Sequence, residues 1–398
     1  MQASQSSQHR QAILNLIARK KRIARVDIAR ITKINQGRIT ALTSELLSQG
    51  FIIENKQNED ATNKGRPRIA LELASQAVKV IGLKLTAQEI TAGIFDFTGS
   101  VLTQKCFKLE NEQFSSEQII EIIVGIISNL VDLSESNFDE IKALGVGLPG
   151  FVDYSTGFVH WSPFLNDTPV NFLSLLQEQF TIPVRLDNDV NLASIAEYNF
   201  GLGRQYKNFI VVTAEHGVGM GLVMNGKVFR GMRGVGNEFG HTKIELNGAL
   251  CRCGQRGCLE AYVADYALLR EANIISPLPY DDQSTTSEKI SKLLQAAQEG
   301  NPVAEKIFQN AANALGTGLA NLVNLFDPEL IILSGRQMKY EHLYHEKIEQ
   351  ELQNNIIQSG NPIPMLKVHS WDDLLWARGA AAFAIETVIE QIANYQLS

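Results

Sequence analysis

Apolar residues near the start of the chain recur at helical spacing. Ile13, Leu16 and Ile17 share one face of a predicted helix over 8–19. A short second helix is predicted over 26–31. After the turn residues 32–35 comes a third over 36–48, ended by Gly50. The inward stripe of the third is Ile39, Leu42, Leu46 and Leu47, which leaves Gln36, Arg38, Thr40, Ala41 and Thr43 facing outward near its start. Residues 51–54 and 69–73 predict a hairpin with Lys64, Gly65, Arg66, Pro67 and Arg68 at its tip. Two strands are predicted within 79–97, a helix over 116–130, and strands at 143–146 and 184–186 followed by a helix over 191–200. Further strands at 209–214, 221–224 and 227–230 include Asn225-Gly226 as a type I′ turn. Residues 264–310 are mostly helical in pattern, 315–325 is a helix, 330–333 a buried strand and 376–389 a closing helix. Strand pairs followed by helices, occurring twice, predict an α/β chain of two lobes with a cleft between them.

Charge sharpens the reading of the head. The first 72 residues carry 13 Lys and Arg against 6 Asp and Glu, whereas the remainder carries 23 against 37. A basic head on an acidic body suits a nucleic-acid-binding module joined to something else. With a short turn before the third helix, the head reads as a winged helix-turn-helix over 1–73, its second helix of the motif entering the major groove. The candidate DNA contacts are Gln36, Arg38, Thr40 and Thr43 on that helix and Arg66 and Arg68 on the wing. A small three-helix interaction domain with a solvated basic face is the alternative.

The candidate chemistry lies at 238–260, EFGHTKIELNGALCRCGQRGCLE. Three of the four cysteines, Cys251, Cys253 and Cys258, fall inside it, with His241 just upstream. One imidazole and three thiolates make a closed tetrahedral set for one structural zinc ion per chain. Buried free thiols or a disulfide are the alternatives. Held together by such a metal, Glu238, His241 and Glu260 suit a polyhydroxylated ligand. The fourth cysteine, Cys106, reads as a core residue of a strand. Residues 1–10 are polar with no apolar signal segment behind them, and the apolar run at 119–130 is broken by Glu121 and Asn129. A cytoplasmic protein without membrane insertion is expected.

The segments GVGLPGFVD, DNDVNLASIAE, GVGMGLVMNGKVFRG, EFGHTKIE, CRCGQRGCLE and NLFDPELIILSG resemble, in chain order, the signatures of the ROK family. That family joins sugar kinases of actin-like, ribonuclease H-like fold to repressors with a winged-helix head. The resemblance implies a first lobe over 74–189 and a second over 190–398 with the metal site, the last helix returning to the first lobe. It also implies that Asn188, Asp189, Glu238, His241 and Glu260 hold sugar hydroxyls, Asp189 standing where the kinases keep their base.

Two departures separate the halves of the family. Where the kinases carry an Asp-x-Gly-Gly-Thr loop, this chain has Leu83, Lys84, Leu85 and Thr86. Where they carry Gly-Thr-Gly-x-Gly-Gly-Gly, it has Glu215, His216, Gly217, Val218, Gly219, Met220 and Gly221. Phosphate loops need close backbone approach, and a carboxylate there repels the phosphate. The expectation is therefore a non-enzymic regulator that represses sugar genes, with no catalytic residues. Its expected partners are operator DNA, a sugar or sugar phosphate, and a second copy in a homodimer or tetramer. A sugar-transport protein is a further partner class the resemblance admits. A ROK kinase with a DNA-binding head is the alternative.

Overall fold

The computed structural model describes residues 4–56, 69–111, 113–134, 136–275, 285–335, 338, 345–357, 363–369 and 374–395. The chain divides into two compact units, Met1–Arg204 with Asp373–Ser398, and Gln205–Asp372. The division falls beyond the 189/190 boundary read from the sequence, because helix Asp189–Asn199 packs against helix Leu375–Ala393 within the first unit.

The first unit opens with helices Gln5–Lys20, Arg25–Thr32 and Gln36–Ser48. Ser4 caps the first, its hydroxyl accepting from Ser7 N at 3.1 Å, and Asn35 caps the third, accepting from Arg38 N at 2.8 Å. Ile69–Leu73 pairs between Ile23–Ala24 and Ile52–Lys56. The hairpin tip, with Arg66 and Arg68, lies outside the described residues. The described residues of the head share their core with the rest of the unit. Ile13, Leu14, Ile17, Ile39, Leu42 and Leu46 join one buried cluster with Ile385, Val388, Ile389 and Ile392 of the last helix.

Behind the head stands a five-stranded sheet in the order Val184–Asn188, Ile141–Leu148, Lys79–Leu85, Glu89–Asp96, Val101–Lys108, the first three strands parallel. Successive strand residues face opposite sides. Ile81 and Leu83 pack with Ile119 and Ile123 of helix Ser116–Leu133, while Val80 packs with the last helix on the other face. Val101–Lys108 is the strand expected around Cys106, but Cys106 is exposed rather than in the core. An edge strand with both faces partly in water lacks the apolar alternation that marks a buried one.

The second unit has a five-stranded sheet in the order Lys227–Phe229, Val218–Met224, Phe209–Ala214, Leu330–Ser334, Met365–Val368. Asn225 and Gly226 both take positive φ, 52° and 74°, as a type I′ turn requires. Asp265–Ile275, Thr286–Gln298 and His345–Asn355 are helices. Pro302–Phe326 is one continuous helix, where the sequence suggested a break after Asn310. Among the described residues no helix is long and apolar enough to cross a membrane.

Candidate functional site

The cysteine segment folds as a knuckle. Ile244 N donates to Gly257 O at 2.9 Å, Gly257 N to Ala249 O at 2.8 Å, and Cys251 N to Gln255 O at 2.8 Å. Gly257 has φ +77°, and a Cβ there would lie 1.8 Å from Glu245 O, so only glycine fits. The turn brings one ligand atom each from His241, Cys251, Cys253 and Cys258 within 4.8 Å of one another, a site able to hold a metal ion. His241 Nδ1 lies 3.7 Å from Cys251 Sγ, and Cys253 Sγ lies 3.7 Å from Cys258 Sγ. Cys251 and Cys258 are buried and Cys253 is exposed. Burial pushes the Cys251 thiol above its ordinary range, so holding it as a thiolate calls for a neighbouring cation. Lys243 Nζ supplies one positive charge, 3.0 Å from Cys258 Sγ.

Glu260, first residue of the short helix Glu260–Val263, lies against this cluster, with Oε1 3.6 Å from Cys251 Sγ. The Tyr266 hydroxyl donates to the same oxygen at 3.4 Å and, held well above its ordinary pKa by burial, remains a donor. Glu238 precedes the single turn Phe239–His241, which carries the imidazole to the cysteines. Asn188 and Asp189 belong to the other unit. Asn188 is the helix cap: its Oδ1 accepts from Val190 N at 2.9 Å and its Nδ2 donates to Gly150 O at 2.9 Å. Asp189 therefore opens the helix without being its cap residue, and its Oδ1 also accepts from Val190 N at 2.9 Å.

The two segments that depart from kinase loops are engaged internally. Glu215 N donates to Gly217 O at 2.9 Å, and Val218 N to Glu260 Oε2 at 3.3 Å. His216 Nδ1 sits 3.3 Å from Asp265 Oδ2. In the first unit the Lys84 ammonium is buried, 3.4 Å from the centre of the Trp376 ring, a desolvated cation–π contact worth about 2 kcal/mol.

The sequence signature of the ROK family matches residues 80–387. The chain belongs to the ROK family. It is 28% identical over 343 residues to the xylose repressor of Caldicellulosiruptor bescii, covering 85% of each chain. A ROK family transcriptional regulator described as a homolog of the E. coli MLC protein shares its fold, with a TM-score of 0.82 at 23% identity over 98% of each chain. A ROK glucokinase from Streptomyces griseus, solved with glucose and AMPPNP, matches 77% of this chain and 99% of its own length, at 28% identity and a TM-score of 0.67. The three head helices and the strands that follow them lie before residue 80, where the ROK match begins.

On this ROK chain's head, Gln36 and Thr40 are exposed on the third helix, as are Ala41 and Ser44. Arg38 is half-buried and its Nη2 donates to Ser6 Oγ at 2.6 Å. Thr43 requires a correction: it is fully buried, its hydroxyl donating to Ile39 O at 2.8 Å and accepting from Arg25 Nε at 2.9 Å, so it does not face outward. The basic charge is also partly spent inside the head. Arg22 pairs with Glu72 at 2.7 Å, Arg25 with Glu54 at 2.7 Å and Arg30 with Asp27 at 2.9 Å. Lys20, Lys21 and Lys33 are exposed.

Proposed function

We propose that the protein is a DNA-binding transcriptional repressor whose ROK body binds a sugar or sugar phosphate without phosphorylating it. The loop at Glu215–Val218 carries the reading. A loop that grips phosphate points its N–H groups at the ligand. Here the N–H groups of Glu215 and Val218 go to Gly217 O and Glu260 Oε2, and a carboxylate heads the loop. Two like charges 4 Å apart repel by about 4 kcal/mol at an effective dielectric constant of about 20. The nucleotide side is therefore unfavourable. Glu238, His241 and Glu260, and separately Asn188 and Asp189, are retained as candidate acceptors for sugar hydroxyls. The likeness to a xylose repressor supports a sugar as the effector class.

We assign zinc to the His241, Cys251, Cys253 and Cys258 cluster. Zinc–sulfur bonds of about 2.3 Å in a tetrahedron set sulfur atoms about 3.8 Å apart, whereas a disulfide would bring them to about 2.05 Å. The Cys253–Cys258 separation of 3.7 Å matches the former. Zinc here supplies no chemistry beyond fixing the loop. Helix-turn-helix proteins read paired half-sites as dimers, so a homodimer or a pair of dimers fits the head. A sugar-transport protein is a further candidate partner for the body.

Two measurements test the reading. Wild-type protein with ATP, magnesium and each of a panel of monosaccharides should form no sugar phosphate. Turnover on the order of 1 per second would establish the kinase alternative instead. DNA retained from a random duplex pool should be lost when Arg38→Ala removes a base-reading side chain, with a cost of about 1–3 kcal/mol and an altered sequence preference. Thr43→Val should lower stability by about 1 kcal/mol and leave the preference unchanged. The same preference in wild type and Arg38→Ala would remove Arg38 from the reading face.

A further inference from the structure

Two arginines of the first helix, Gln5–Lys20, leave the head and bind the body of the same unit. Arg10 is buried, at 2% exposure. Its Nε and Nη2 donate to Ala393 O, the end of the last helix, at 2.9 and 2.7 Å, and its guanidinium lies 3.6 Å from the centre of the Tyr395 ring. A helix C-terminus carries partial negative charge, so a cation belongs there. The other side of Arg10 faces the recognition helix Gln36–Ser48. Its Nη1 is 3.7 Å from Glu45 Oε1 and donates to Ser6 Oγ at 3.2 Å, the same hydroxyl that receives Arg38 Nη2. Nearer the end of the first helix, Arg19 donates to Arg204 O at 2.9 and 2.6 Å and to the Tyr198 hydroxyl at 2.7 Å. Arg204 returns the contact by donating to Arg19 O. Tyr198 stands on helix Asp189–Asn199, whose first residue is Asp189.

We infer that Arg10 and Arg19 are positioning residues that set the orientation of the recognition helix on the first unit and transmit to it any shift of helices Asp189–Asn199 and Leu375–Ala393. This rests on the DNA-binding reading. The chemistry of the joint favours a movable contact over a permanent one. His9 Nδ1 and Gln391 Oε1 are buried on the first and last helices without hydrogen-bond partners, and Glu45 Oε1 is held only by the long 3.7 Å ion pair to Arg10. A buried polar network specifies geometry tightly, but its unpaired members cancel much of its gain, so an alternative arrangement lies close in energy. Both body helices reach the head directly, one through Tyr198 and the other through Ala393 and Tyr395. Movement at Asp189 thus has a route to Arg38 through Tyr198, Arg19, the first helix and Ser6.

The test is hydrogen exchange on the full chain, with and without a DNA duplex recovered by the wild-type protein from a random-sequence pool. In wild type the duplex should slow exchange in Gln36–Ser48, and also at the ends of Asp189–Asn199 and Leu375–Ala393. Arg19→Leu should abolish the protection at the end of Asp189–Asn199, and Tyr395→Leu that at the end of the last helix, each keeping protection of Gln36–Ser48. Tyr198→Leu removes the Arg19 contact from the body side if Arg19→Leu does not fold, and Tyr198→Phe, which keeps the ring, should restore part of the effect. Unchanged body protection in these variants, or none in wild type, overturns the inference while the head still responds. A pool that yields no retained duplex overturns the DNA reading and this inference with it.

Discussion

Cys258→Ser is expected to strip the second unit of its metal and of much of its cooperative stability. Cys258 is fully buried, so its replacement puts a hydroxyl in place of the sulfur, with Lys243 Nζ facing it. Structural zinc in isolated small domains stabilises folding by about 10–16 kcal/mol at neutral pH. This unit has a large apolar core of its own built on Phe239, Leu259, Leu268 and Leu319, so the loss should be smaller but still above about 3 kcal/mol, the upper range of ordinary substitutions. Elemental analysis should find about one zinc per chain in wild type and almost none in the variant. Excess chelator should bring the wild-type melting curve to that of the variant, and added zinc should rescue only the wild type. Cys106→Ser, at an exposed thiol, is the neutral control. Wild-type protein that is free of metal and melts unchanged would sink the assignment.

The knuckle was legible because its ligands lie within a few turns of chain and glycines mark its bends. The head was legible in its helices, but the outward face of the third was misread at one position. At 3.6 residues per turn Thr43 stands about 40° from Ile39, inside the apolar stripe. Its polar side chain suggested the opposite, and burial is tolerated because Ile39 O and Arg25 Nε satisfy the hydroxyl. Ser44, four residues after Thr40 and exposed, could have been found by the same periodicity. Part of the head's counted charge is spent on the body in a way the sequence does not announce. The partners of Arg10 and Arg19 are Ala393, Tyr198 and Arg204, far away in sequence, and no local pattern announces them. Glycines inside strands often mark close backbone approach, a signal that Gly82 and Gly145 carry but that the pattern of apolar positions does not weigh.

Gly145→Ala is expected to destabilise the first unit by about 3 kcal/mol or more, although it adds a single methyl group. Gly82 and Gly145 are direct neighbours in register on parallel strands. A Cβ on Gly145 would lie 1.9 Å from Ala380 O, and one on Gly82 would lie 2.0 Å from Ala377 O. Both obstacles are backbone atoms of the last helix, so no rotamer change relieves the clash. The helix must move off the sheet, and Gly379 prevents it from sliding toward Asp189–Asn199, where a Cβ already would meet Leu192 O at 2.0 Å. Gly125→Ala provides the opposite expectation. Gly125 lies exposed in helix Ser116–Leu133 with nothing within 4 Å of its missing Cβ, so alanine should stabilise by about 0.5–1 kcal/mol. The two urea midpoints should therefore move in opposite directions from wild type. A Gly145→Ala midpoint equal to wild type would mean that the last helix does not rest backbone to backbone on the sheet. The seat matters beyond stability, because the same helix ends at Ala393 beneath Arg10. A helix lifted by one methyl group would displace the head at its other end, so operator affinity should fall even under conditions where the variant remains folded.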